Sequence, residues 1–414
     1  MSASQYALKS FLRQAPPEML NRYFAAHGID LSVPAKGLTR AQLDRLCSDL
    51  QTLDERRQQE LNAHFRSIHL MASEGGIKTL VEEGNDTHHK ANLAEVFAAQ
   101  ESRLGMVFLA FLDYPEIFAV ASLFRHADTL PQSWRKRADL PAAEPMTDKK
   151  TTEALGQAIS QYYVTHQGRG RVCQVDHYRR GDLLYWFAYP EDYPIRSLVY
   201  DAREHLRRST QRPAFEVVFV YSQSERSLDT WVRGDKKTLA DLQRLWGEVV
   251  LNVSLGPPPE TGLVYRLQGL INRDFPLTLL PEDGVLEARV TRLRLRMVAW
   301  GGQHLTLEAG ARQTPHAIYD VLDQLAAVPA FSRDLLRVVA ATFRIVFRGS
   351  AGQAGPVLVF NVSEPDSCSL KSDPADVVAK KLLRRWGIDV SASARSDPKG
   401  DGRPAQRTLR LRGR

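Results

Sequence analysis

Between Cys173 and Tyr193 the chain gathers Cys173, Asp176, His177, Asp182, Glu191 and Asp192. A histidine among carboxylates is what general acid–base catalysis needs, one group to move a proton and others to hold a divalent ion. Read as a strand, this stretch sets Cys173, Val175 and His177 on one face and Asp176 and Tyr178 on the other. The enzymatic reading is therefore a metal-assisted phosphodiesterase or nuclease. Asp176, His177, Asp182, Glu191 and Asp192 would be its bases or ligands, and a divalent metal its one cofactor. His166, Cys173 and His177 are also zinc-type donors, but their spacing matches no standard zinc site. The plainer reading is a twisted hairpin with solvated or salt-bridged polar ends.

A different chemistry is written in the arginines. In Leu286–Trp300, Leu293, Leu295 and Met297 alternate with Arg292, Arg294 and Arg296. In Thr342–Arg348, Phe343, Ile345 and Phe347 alternate with Arg344, Val346 and Arg348. Strand periodicity then gives one apolar face and one arginine face, with same-face neighbours about 6.6–6.8 Å apart. Guanidinium forks at that spacing suit the successive phosphates of a nucleic acid. The plainer reading is a solvated face, with Glu308 pairing one arginine.

Basic residues also crowd the end of the chain. Residues 380–414 hold eleven Lys or Arg and three Asp, a net of +8, while the remainder holds 44 basic and 45 acidic residues, a net of −1. The chain's +7 thus belongs to this end and describes no globally cationic surface. Lys380, Lys381, Arg384 and Arg385 fall on a helix, and Arg395, Lys399, Arg403, Arg407, Arg410, Arg412 and Arg414 follow it. Such a segment adds phosphate affinity by counterion release, docks on an acidic protein, or serves solubility. Basic residues at a helix C-terminus are also favoured by its dipole.

Other motifs are thin. His88-His89-Lys90 with Glu95 spells HxK(x)4E. Phospholipase-D-like phosphodiesterases use HxK followed by Asp, usually twice and on strands. Here there is one copy, Glu stands for Asp, and the setting is a loop before a helix. His64 and His69 lie on a long helix and read as packed or surface residues. The chain contains no GxxxxGK[ST] loop, no GxGxxG after a strand, no GxSxG, no HExxH and no EF-hand loop. No CxxC occurs among Cys47, Cys173 and Cys368, so no metal site is assigned, and reduced thiols fit a cytoplasmic protein.

These residues must be positioned by several domains, since 414 residues exceed one ordinary core. Periodicity predicts helices at Ala7–Gln14, Glu18–His27, Arg40–Leu50, Asp54–Met71, Leu93–Gln100 and Met106–Phe124. Gly75-Gly76 is the expected stop of the fourth, and Pro115 an expected break in the last. Residues 1–130 read as a helical domain, suited to a protein partner or self-association. Residues 131–150, with three prolines and Arg135-Lys136-Arg137, read as a linker or strap. Residues 151–255 and 262–390 read as two α+β domains of antiparallel hairpins and helices, and 391–414 as a disordered basic tail.

Residues 217–247 and 357–387 align without gaps at an offset of 140, each ending Leu-x-Arg-x-Trp-Gly, which raises a duplicated strand–strand–helix unit. The stretch Leu104–Phe124 is broken by Asp113, Pro115 and Glu116 and is too short between charges to span a membrane. The expected class is multi-domain α+β with a helical N-terminal domain. The leading functional expectation is a non-enzymatic nucleic-acid-binding accessory protein of a larger assembly. A protein-only adaptor and the nuclease stand as alternatives.

Overall fold

The computed structural model describes residues 6–85, 90–130, 134–201, 205–257, 263–298, 301–310, 313–328, 331–349, 353–371 and 373–391. The basic tail beyond Ser391, with its expected disorder, lies outside the described residues, as do His88 and His89.

Among the described residues eight helices come first: α1 (Leu8–Gln14), α2 (Pro17–Ala26), α3 (Arg40–Gln51), α4 (Glu55–Met71), α5 (Glu74–Gly84), α6 (Leu93–Ala98), α7 (Arg103–Asp113) and α8 (Pro115–Thr129). Side chains of Thr39, Asp54, Ser73, Asn92 and Ser102 accept hydrogen bonds from the first-turn amides of α3 to α7, satisfying donors a helix start leaves open. The buried faces meet in one aromatic-rich core of Phe11, Tyr23, Phe24, Phe65 and Phe108. Phe11 stacks on Phe65 with ring centres 4.6 Å apart.

The expected stop at Gly75-Gly76 is corrected here, because both glycines lie in the first turn of α5, capped by Ser73. Their role is close packing. A Cβ on Gly76 would fall 2.1 Å from the Met71 carbonyl oxygen, and one on Gly75 would fall 2.6 Å from the Arg125 guanidinium.

The rest of the chain runs β1 (Trp134–Arg137), α9 (Lys149–Gln167), β2 (Cys173–Arg180), β3 (Leu183–Pro190), β4 (Ile195–Tyr200), β5 (Leu206–Gln211), β6 (Val217–Ser222), β7 (Ser227–Val232) and α10 (Lys236–Val250). It continues as β8 (Val285–Met297), β9 (His304–Glu308), α11 (Ala317–Ala326), β10 (Leu336–Arg348), β11 (Ala354–Ser363), β12 (Ser367–Cys368) and α12 (Pro374–Arg385). The class is α+β with a helical N-terminal region. Among the described residues no helix is long and apolar enough to cross a membrane.

The chain divides into two compact units. The first comprises Met1–Ser133, Thr147–Val220 and Leu370–Val378. In it β2 pairs antiparallel with β3, whose residues Leu184–Ala188 are all buried. Arg180 ends β2 with a buried guanidinium that donates to Asp128 at 2.8 Å, Glu82 at 3.0 Å and Thr79 at 3.1 Å, tying the strand to α5 and α8. In contrast, β4 and β5 form a two-stranded ribbon with no described residue fully buried. Leu198, Tyr200 and Leu206 on it are 62%, 72% and 56% exposed.

The second unit comprises Trp134–Met146, Tyr221–Ser369 and Ala379–Arg414. Its strands lie in the order β7-β1-β12-β11-β10-β8-β9, each neighbouring pair antiparallel. Within the stretch read above as a linker or strap, Trp134–Arg137 is therefore a strand flanked on both sides. One face of β8, β10 and β11 is packed. Leu293, Leu295, Phe343, Ile345 and Phe360 are buried together with Ile318 and Leu322 of α11, and Trp386 stacks on Phe343 at 5.8 Å. The two segments related by the 140-residue offset both run strand, strand, helix, but their endings differ. Gly247 lies inside α10 where a Cβ would meet Leu255 at 2.4 Å, whereas Gly387, at φ +68°, follows the end of α12.

Candidate nucleic-acid interface

The alternation in β8 emerges as the residues predict. Leu293, Leu295 and Met297 are buried, and Arg292, Arg294 and Arg296 are exposed. Gly301 and Gly302 close the turn to β9 at φ +68° and +84°, a backbone region that favours glycine. Gly302 also leaves room for Arg296, whose Nε would stand 3.0 Å from a Cβ there.

Register then sets the neighbours. Arg296 lies opposite Arg337 on β10 and opposite His304 on β9. Arg294 lies opposite Ala340 and Thr306, and Arg292 opposite Thr342 and Glu308. Directly opposite residues share a face, so Arg292, Arg294, Arg296 and Arg337 crowd one solvent face of two adjacent strands. Arg344 follows, opposite Val359 of β11, and Thr342 donates to Asn361 Oδ1 at 2.7 Å. Val359, 57% exposed, adds apolar surface to the same face.

Carboxylates answer only part of this charge. Glu308 accepts from Arg292 at 2.8 Å, and Glu287 stands 3.8 Å from Arg344. Glu308 holds Arg292 further toward its charged form, and Arg292 in turn draws the Glu308 carboxyl below its ordinary range. Among the described residues Arg294, Arg296 and Arg337 have no ion-pair partner within 4.0 Å. Like charges directly across a ladder are destabilising, and Arg296 and Arg337 face each other in this way.

Arg348 does not simply extend the Arg344 row. The register shifts between Val346 and Arg348, and Ile345 and Val346 are both buried, so the expected Arg344, Val346, Arg348 alternation is corrected at Val346. Arg337 and His304 escape a sequence reading. The alternation Leu336-Arg337-Val338 is cut short by a register shift between Val338 and Ala340, which hides the first half of β10.

The basic residues of α12 stand in another setting. Arg384 ion-pairs with Glu225 and lies 3.6 Å from Asp389, and Arg385 forks onto Asp283, one contact at 3.0 Å. Buried Lys136 of β1 donates to Glu225 at 2.8 Å and lies in register with Asp229. Burial raises the Asp229 carboxyl against the pull of Lys136 and Lys380. Burial also opposes the charge on Glu225, but Lys136 and Arg384 outweigh it and hold that carboxyl at about 2. Arg384 and Arg385 are thus paired with carboxylates although, like Lys381, they are exposed.

The 173–193 cluster does not converge. Asp176 and His177 are consecutive on β2 and present to opposite faces. Asp176 accepts from Gln174 at 3.0 Å. The His177 ring lies 4.8 Å from Trp186, and burial, with Arg179, lowers its pKa. Glu191 pairs with Arg212, and Asp192 accepts from Arg169 at 2.6 Å, so both are held in ion pairs. Asp182 also has a partner. A shallow hollow of about 490 Å³ lies along β2, lined by Lys149, Glu153, Cys173, Asp176 and His177 among others. Burial pushes the Cys173 thiol up to about 12, and His166 Nδ1 bonds the Tyr162 carbonyl oxygen at 2.9 Å.

Glu95 of the HxK reading lies in the first turn of α6, its backbone N–H donating to the capping Asn92 Oδ1 at 3.4 Å and its carboxylate accepting from Asn92 Nδ2 at 3.0 Å. Among the described residues the group of metal-type donors brought within 4.8 Å of one another is His27, Glu60 and His64, on α2's end and α4. None of His166, Cys173 or His177 belongs to it. Comparison with protein-family models and with curated proteins finds no match for this chain.

Proposed function

We propose that this protein binds nucleic acid as an accessory protein and does no chemistry on it, gripping phosphates through the exposed face of β8, β9 and β10. One observation supports this most directly: Arg296 and Arg337 stand opposite each other beside His304, with Arg294 next in the row, and no carboxylate pairs with Arg294, Arg296 or Arg337 among the described residues. Guanidinium forks match phosphate oxygens in geometry and charge. Thr342, Asn361 and Val359 extend the face with hydrogen-bonding and apolar surface for sugars and bases. Phosphate contacts carry little sequence information, so the protein discriminates weakly between sequences.

The test is fluorescence anisotropy of the full chain with labelled oligonucleotides of unrelated sequence. Joint Arg294→Ala and Arg296→Ala substitution weakens binding about tenfold or more for every oligonucleotide, since each loses charge-assisted contacts. Unchanged affinity in that variant overturns the reading.

A further inference from the structure

The structure points to a second site, and we propose that His27, Glu60 and His64 bind one divalent transition-metal ion of the Zn²⁺ type. Glu60 and His64 are four residues apart on α4 and so share a helix face, and His27 caps the C-terminus of α2 opposite them. One donor atom from each lies within 4.8 Å of the other two, so all three lie within about 2.8 Å of a common point. Zinc–nitrogen and zinc–oxygen bonds run about 2.0–2.2 Å, so each donor need move only about 0.6–0.8 Å to close on an ion. Glu60, exposed and on three rotatable bonds, can supply much of that movement.

The surroundings support both rings as ligands. His27 Nδ1 bonds the Tyr23 carbonyl oxygen at 2.9 Å, and His64 Nδ1 lies 3.0 Å from the Tyr23 hydroxyl. Each Nδ1 is therefore occupied, leaving each Nε2 as the ring atom for the ion, and the Nδ1–H of His64 then donates to the hydroxyl oxygen. Metal-binding histidines are commonly oriented by such a bond from the other nitrogen. The Tyr23 ring stacks on His27 with centres 4.0 Å apart, and Phe111 lies 5.0 Å from His64, so neither imidazole swings freely. Among the described residues no cation within 4.0 Å neutralises Glu60. Two imidazoles and one carboxylate select a borderline ion over Mg²⁺ or Ca²⁺, which prefer all-oxygen shells. Three protein ligands leave the fourth tetrahedral position to water, and the ion clamps the end of α2 to α4.

The test uses the full chain after chelator treatment, titrated with Zn²⁺ in a calorimeter and with Co²⁺ followed by its visible absorption. Wild type takes up one ion per chain with tetrahedral-type Co²⁺ absorption, and its melting temperature rises with added Zn²⁺. Glu60→Gln, at an exposed position that leaves the fold intact, and His27→Gln each weaken uptake by about tenfold or more and abolish the absorption band. Equal uptake by wild type and both variants overturns the assignment, as does a wild type whose melting temperature ignores Zn²⁺.

Discussion

Arg384 and Arg296 both stand in basic stretches, yet Arg384 pairs with Glu225 while Arg296 faces Arg337 and His304. Composition near the chain end cannot distinguish these settings, because Glu225 and Asp283, which pair with Arg384 and Arg385, lie far from that end in sequence. The pairing has a pH signature. Glu225 is depressed from an ordinary 4.5 to about 2, so between these two values it stays charged in the folded chain while it is largely protonated in the unfolded one. Its stabilising contribution is complete above about pH 4.5 and is lost as pH falls toward about 2. Glu225→Gln therefore costs about 1–3 kcal/mol at neutral pH and flattens the acid side of the stability curve. Denaturant melts of both proteins across that pH range check this, and parallel curves would contradict it.

Elements were legible where apolar side chains are buried and obscure where burial is slight or falls on charged side chains. The capped helices α3 and α4 and the strand β8 show clean periodicity because half their surface meets a core. The ribbon β4–β5 shows none, since both of its faces meet solvent and no burial imposes an alternation. The strand β1 was hidden for the opposite reason. Trp134-Arg135-Lys136-Arg137 looks like a polar connection, but Lys136 and Arg137 are buried and held by Glu225, Asp139 and the Gly256 carbonyl. Because the ribbon buries so little, replacing Ile195–Gln211 with a short Gly/Ser turn shifts the melting temperature by no more than about 2 °C. A calorimetric scan of that variant decides the point, and a drop of about 10 °C or more would show that the ribbon supports the fold.

At the scale of the whole molecule, net charge is a poor guide to where a phosphate would sit. The sequence outside 380–414 is close to neutral, yet register places Arg292, Arg294, Arg296 and Arg337 together, and among the described residues three of them have no ion-pair partner within 4.0 Å. The arginine alternation was visible in the residues. That Arg337 joins it was not, because strand pairing across about forty residues of intervening chain decides it. Asp176 and His177 stay on opposite faces of β2, as the strand periodicity of the residues already implies, and both line the hollow along that strand.

The most direct test of phosphate binding by this face is the salt dependence of oligonucleotide affinity. It is to be measured for the full chain and for the joint Arg294→Ala, Arg296→Ala and Arg337→Ala variant. Each phosphate contact contributes about 0.7–0.9 to the slope of log affinity against log salt, so the variant's slope should be shallower by about 2–3. Identical slopes for the two proteins would mean that these arginines touch no phosphate, and would contradict the account.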